Sequence, residues 1–198
     1  MNVRTKLAEW VPAIVVFCLG IVVWQLAIDI FNIQKFLLPK PGSIVSAFFT
    51  QRHTLWSAGW LTLKEALGGF AIGSALGILF ATVLARFRRI SAALMPIAIA
   101  ANAIPIIAFS PIFNAWFDPL SLSPRMATAG VLCFFPVLVN TLRGLTSVKP
   151  PQIELMRSYA AGELEIFRRV RVPTALPFVF SALKVATVHA MIGAIVAD

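Results

Sequence analysis

Residues Pro150–Pro177 read PPQIELMRSYAAGELEIFRRVRVPTALP, a charged island between apolar segments long enough to cross a bilayer. Pro150-Pro151 stops the preceding helix and pre-sets a new one, with Glu154 near its positive N-terminal end. Ile153, Met156 and Ala160 follow an i, i+3, i+7 pattern and fall on one face. Gly162 suits a left-handed cap that redirects the chain. A second short helix, Glu163 to Val172, brings Glu165 within ion-pairing distance of Arg168 or Arg169. Pro173 and Pro177 then open the next apolar run. The competing reading is a solvated loop with interfacial arginines, and the amphipathic helix–turn–helix layout argues against it. A membrane protein that shapes such an element on its cytoplasmic side has a use for a soluble partner there.

The rest of the chain makes the membrane reading secure. Of 198 residues, 59% are hydrophobic and 13% charged, more apolar surface than a soluble domain of this size can hide. The net charge of +9 is not a nucleic-acid footprint, because the basic residues sit at the ends of apolar runs rather than along one face. Cys18 and Cys133 both fall inside apolar runs and read as buried apolar side chains, without a disulfide or metal-site pattern.

Charge-free runs mark five spans: Val11 to Ile28, Ala66 to Ala85, Ile90 to Phe117, Met126 to Leu142, and about Pro173 to Ala197. The third is broken by Pro96, Pro105 and Pro111, the fourth holds Pro136, and the fifth carries Lys184 and His189. Five spans with short loops predict an all-α polytopic membrane helix bundle. With the N-terminus inside, the cytoplasmic ends hold Arg4, Lys6, Arg86, Arg88, Arg89, Arg143, Lys149, Arg157, Arg168, Arg169 and Arg171. The outer loops then hold only Lys35, Lys40, Arg52 and Arg125, with Lys64 near the border, so the N-terminus is expected inside. The first run is too long for a typical signal-peptide core and no A-x-A site follows it, so it is expected to stay as a span. FLLPKPGS, at Phe36–Ser43, reads as an extended loop leading into a short amphipathic helix near the outer interface. ARFRRIS forms a tight basic turn between the second and third spans.

The catalytic inventory is poor: the sequence has no Walker A loop, H-E-x-x-H, G-x-S-x-G or Cys/His cluster. No catalytic residue, metal site or cofactor is expected. His53 lies in a loop, whereas His189 lies in a span, where an ionisable group is a functional hypothesis by default. Lys184, five residues earlier, points about 140° away on a helix. Gly69, Gly73 and Gly77 make two overlapping GxxxG steps, which let helix backbones approach closely in lipid. Packing within the bundle is their first reading and a subunit interface their second. Asn102, Pro105 and Asn114 put polar groups and broken helical hydrogen bonds at membrane depth. A translocation path and simple helix packing both accommodate them.

The island resembles the EAA loop of binding-protein-dependent ABC importer permeases, whose pattern is Glu-Ala-Ala, three residues, Gly, then a stretch ending in Pro. Glu154-Leu155-Met156 occupies the EAA position, Ala160 the glycine position, and Phe167–Pro177 the downstream part. FLLPKPGSIVSAF, IPIIAFSPIFNAWF, FFPVLVNTLRGLTSV and LKVATVHAMIGAIVAD are similar to the nitrate/sulfonate/taurine-type branch, so the resemblance runs from about Phe36 to Asp198. MRSYAAGE is similar to members associated with vitamin-precursor or pyrimidine-like substrates. Leu155, Met156 and Ala160 are larger than the residues the family keeps there.

The resemblance implies a single permease domain over 1–198 of the type I importer kind, with a cytoplasmic coupling loop at about 150–172. Relatives continue past the GAIVAD position into a further helix that this chain is expected to lack. It implies a permease homodimer in a bacterial inner membrane and two copies of an ABC ATP-binding subunit. These dock through Glu154, Leu155, Met156, Arg157, Ala160, Ala161 and Gly162. An extracytoplasmic solute-binding protein delivers the solute, and this chain hydrolyses nothing itself. The candidate solute pathway is Asn102, Pro105, Asn114 and His189. The rival is a secondary transporter or channel, which needs an ion-coupling site inside the bundle and has only Lys184 and His189 to offer. A membrane enzyme is a more distant rival, since no nucleophile–base pairing is visible. The solute itself is not legible, because specificity in such systems rests largely with the binding protein.

Overall fold

In a computed structural model, the run of small residues on α6 (Ser123–Thr146) lies between α3 (Arg52–Arg86) and α9 (Val172–Val196), and these contacts form the core. The structure describes residues 3–101, 108–118 and 120–197, and of residues 3–9 and 88 the backbone alone. Helix dominates them, with no strand among the described residues. The chain divides into two compact units, 1–58 and 59–198.

The first unit holds α1 (Val3–Ile30), α2 (Pro41–Thr50) and the start of α3. Lys40 caps α2 in an extended conformation and Pro41 sits in its first turn, so the loop FLLPKPGS leads into a short helix as expected. Asp29 at the end of α1 pairs with Lys40 at 2.5 Å, which ties that loop to α1. Cys18 is exposed, not buried as expected, because α1 leaves most of its apolar side chains uncovered within its unit.

The second unit contains the bundle core. A Cβ built on Gly69 would lie 2.7 Å from the Met126 carbonyl oxygen, and one on Gly77 would lie 2.9 Å from that of Phe134. A Cβ on Gly73 would run into the Gly130 carbonyl. The GxxxG steps therefore serve packing inside this chain, with α3 seated backbone to backbone on α6. α9 approaches α6 in the same way, through Ala175, Ala182, Ala186, Ala190 and Ala194, all buried. Gly144 and Gly193 leave no room for a Cβ: one built on Gly144 would lie 2.9 Å from Ala175 Cα, and one on Gly193 2.7 Å from Ala129 Cα. Cys133 is fully buried and its thiol donates to the Ala186 carbonyl at 3.3 Å, tying α6 to α9. Lipid gives helices no hydrophobic drive to associate, so this close van der Waals contact is what holds them.

Among the described residues, four helical stretches are long and apolar enough to cross a membrane: Trp10–Ile30, Arg52–Arg86, Ser123–Thr146 and Glu163–Val196. The expected third span is described on either side of residues 102–107. α4 (Arg88–Ala101) ends its described course at Ala101, and α5 (Phe109–Trp116) is a short helix packed on α6. α3 begins well before Ala66, so residues 52–60, expected outside the spans with His53 in a loop, are helical, with Lys64 Nζ 5.7 Å from the Trp60 ring centre.

Candidate functional site

At the basic end of the second unit, α6 gives way through residues 147–149 to α7 (Pro150–Ser158), α8 (Glu163–Ile166), a π-helical turn (Phe167–Arg171) and α9. Lys149 is extended and Pro150 opens α7, where its missing N–H would have had no partner in any case. Glu154 is the fifth residue of α7, so no acidic side chain lies in the first turn and the expected help from the helix dipole is absent. Ile153 and Met156 are half-buried on one face as the spacing predicts. Ala160 lies beyond the helix and is exposed.

The end of α7 corrects the glycine reading. The Ala161 N–H donates to the Met156 carbonyl at 3.1 Å, and the Ala160 N–H donates to that of Arg157 at 2.9 Å. This is a Schellman motif, whose left-handed position falls on Ala160, with φ 57°. Gly162 has φ −73° and ψ 164°, extended backbone that any residue adopts, and serves as N-cap of α8. The alanine thus stands where a left-handed backbone favours glycine, at a cost of about 1 kcal/mol. Ala160→Gly is expected to raise the stability of the turn by about 1 kcal/mol, read as slower amide exchange across residues 150–161. Gly162→Ala, with nothing within 4 Å of its built Cβ, is expected to leave that exchange unchanged or slightly slower.

The turn is closed across its mouth. Arg157 Nη2 donates to Glu163 Oε1 at 2.8 Å, and both side chains are more than half exposed, so the pair contributes at most about 1 kcal/mol. Arg157 holds the Glu163 carboxyl below the usual carboxylate range, so the pair persists at neutral pH and opens only in acid. Glu165 pairs with Arg169 at 3.1 Å, one of the two partners expected.

The second helix does not end at Val172. Helix runs from Glu163 to Val196, 34 residues, which at 1.5 Å per residue exceeds a ~30 Å hydrocarbon core. Its charged first ten residues therefore lie outside the membrane. Pro173 has no N–H for the Arg169 carbonyl and its ring crowds that group. The ladder widens just before it, and the Val172 N–H reaches back five residues to the Phe167 carbonyl. Ile166 is fully buried, while Phe167 and Val172 pack on Ala81, Ala85, Leu142 and Leu145. The turn is thus mounted on a rigid base formed by the ends of α3 and α6.

What faces outward is informative. Leu155 is 58% exposed, Tyr159 77% and Leu164 70%, on an element whose neighbours are charged. Leu155 and Tyr159, four residues apart, share a helix face. The sequence reading passed over Tyr159 and Leu164, although the i, i+4 step from Leu155 carried the signal for Tyr159.

The other sequence candidates are dispersed. Asn102 and Pro105 lie outside the described residues. Asn114 is half-buried on α5 and His189 half-buried on α9, and each of these helices packs on α6. The Nδ1 of His189 is buried and finds no hydrogen-bond partner among the described residues. Lys184 is exposed. Sequence reasoning missed Glu65 on α3, which is 1% exposed and accepts from Arg125 Nη1 at 3.2 Å. Its signal was a carboxylate one residue outside an apolar run, which was read only as a boundary.

Residues 73–198 match the family described as the binding-protein-dependent transport system inner membrane component. The chain is 33% identical to the formylaminopyrimidine transport permease protein ThiX of Halalkalibacterium halodurans, over 92% of this chain and 72% of that protein. It is 30% identical to the riboflavin transport system permease protein RibX of Chloroflexus aurantiacus, over 96% and 72%. It is 29% identical to a probable ABC transporter permease protein of Haemophilus influenzae, over 90% and 72%. The chain belongs to the binding-protein-dependent transport inner-membrane family, as an ABC transporter permease and a multi-pass inner-membrane protein rather than an enzyme.

Proposed function

We propose that this chain forms the solute pathway of an ATP-driven importer and couples to a separate ATP-binding subunit through Glu154–Gly162. What supports this is the pairing of exposed Leu155, Tyr159 and Leu164 with a buried, rigid base at Ile166. Apolar side chains held out on a charged element are what a partner's pocket buries. Two permease copies enclose one pathway, and each docks one ATPase. An extracytoplasmic binding protein brings the solute, and the two relatives named for formylaminopyrimidine and riboflavin transport make those the first solutes to try. Closure of the ATPases pulls α7, and its anchored base passes the movement to α3, α6 and α9 as a rigid-body rotation. Asn114 and His189, half-buried on helices that pack on α6, are the pathway candidates.

The test is affinity of the ATP-binding subunit for membranes carrying each variant. Glu154→Lys and Leu155→Asp are each expected to weaken it by about thirtyfold, the loss of one hot-spot contact, with membrane insertion intact. Wild-type affinity in both variants would place the docking surface elsewhere.

A further inference from the structure

Two hollows in the second unit meet at one residue. The first is a groove walled only by apolar side chains, among them Phe80 and Leu84 of α3, Leu94 and Ala98 of α4, and Leu138 and Leu142 of α6. The second is a cleft of about 1190 Å³ toward the basic end, whose charged walls are Arg86, Glu154, Arg157, Glu163 and Arg171. Met95 lines both, so the groove and the cleft adjoin there.

Each hollow asks for a different half of one ligand. An apolar groove beside hydrocarbon stays dry and takes up hydrocarbon. In the cleft, three arginines, Arg86, Arg157 and Arg171, outnumber the two carboxylates, Glu154 and Glu163, and Arg157 pairs with Glu163 at 2.8 Å. Beyond Arg157, both Arg171 and Arg86 lie close enough to Glu163 to help hold its carboxyl down, so their positive potential fills the space. Guanidinium groups suit phosphate oxygens, and basic pockets between spanning helices at the cytoplasmic face suit anionic headgroups. The basic ends of the spans put this cleft at that face.

We propose that the adjoining hollows hold one anionic phospholipid of the cytoplasmic leaflet, its phosphate at Arg86 and Arg171 and one acyl chain in the groove past Met95. Glu154 and Arg157 form the opposite wall of the cleft, so the bound lipid braces α7 from the membrane side.

The test uses the full chain in vesicles of equal phosphatidylglycerol and phosphatidylcholine, extracted and weighed by native mass spectrometry to identify retained lipid. Wild-type protein is expected to retain one phosphatidylglycerol in preference to phosphatidylcholine. The pair Arg86→Gln and Arg171→Gln is expected to lower that preference about thirtyfold, the size of two interfacial arginine–anion attractions. Ala98→Trp, which fills the groove, is expected to lower retention of both lipids. Arg168→Gln, an exposed arginine outside the cleft, is expected to match wild type. Equal retention of the two lipids by wild type overturns the proposal without any variant. It is overturned as well if Ala98→Trp retains phosphatidylglycerol fully, or if soluble glycerol phosphate displaces it, since the cleft then takes a free anion and no acyl chain.

Discussion

Replacing Glu65 with alanine is expected to lower the stability of the bundle by about 3–5 kcal/mol, among the largest single-residue effects in this chain. Its carboxylate is almost wholly buried and accepts from Arg125 Nη1 at 3.2 Å, while the Arg125 side chain is only 20% exposed. A charge taken out of water is tolerable only while its opposite stays beside it. Removing the carboxylate takes away a close opposite charge of the guanidinium where α3 meets the start of α6. Replacing both residues with methionine is expected to recover most of the loss, because a well-packed apolar pair substitutes for a buried ion pair at little net cost. Thermal unfolding in detergent reads both: a large fall in midpoint for Glu65→Ala and a smaller one for the double variant. Equal falls would mean that the pair contributes through packing alone.

The second large effect belongs to Gly73→Ala, and a neighbour supplies its control. The added methyl meets the Gly130 carbonyl, which is helix backbone and cannot swing aside, so α3 must move off α6. Overpacking of this kind costs about 1–3 kcal/mol, and Gly73→Leu is expected to exceed that range or to prevent folding. Gly130→Ala is the same chemical change on the facing helix, yet its nearest atom is the Gly69 carbonyl oxygen at 3.5 Å, ordinary contact. It is expected to shift the midpoint little. Similar shifts for Gly73→Ala and Gly130→Ala would show that α3 and α6 pack more loosely than described here.

How much of this was legible in the residues differs from element to element. The body of α6 was, because the charge-free run from Met126 to Leu142 lies wholly within Ser123–Thr146. The run from Ile90 to Phe117 was read as a span broken by Pro96, Pro105 and Pro111, and of these Pro96 lies inside α4 and Pro111 inside α5. Its described parts are two helices of 14 and 8 residues. The glycine steps of α3 could be read as packing, but the partner could not, since spacing on one helix does not name the helix opposite. At the turn after α7, composition pointed to Gly162, the only glycine there, as the left-handed residue. Hydrogen bonding decides otherwise, because the Schellman pair counts from where the helix stops, and that puts Ala160 in the strained position. Glu65 escaped for a related reason. Whether a carboxylate at a span border is solvated or buried depends on Arg125, sixty residues away.

The most direct test of the coupling account is ATP hydrolysis by this chain co-expressed with an ABC ATP-binding subunit and reconstituted into vesicles, titrated with solute-loaded binding protein. The account predicts a stable complex whose hydrolysis rises with binding protein in the wild type and stays at its basal rate with Leu155→Asp. A chain that purifies free of any ATPase, and moves solute only down an ion gradient, would contradict it and return the bundle to the secondary transporters.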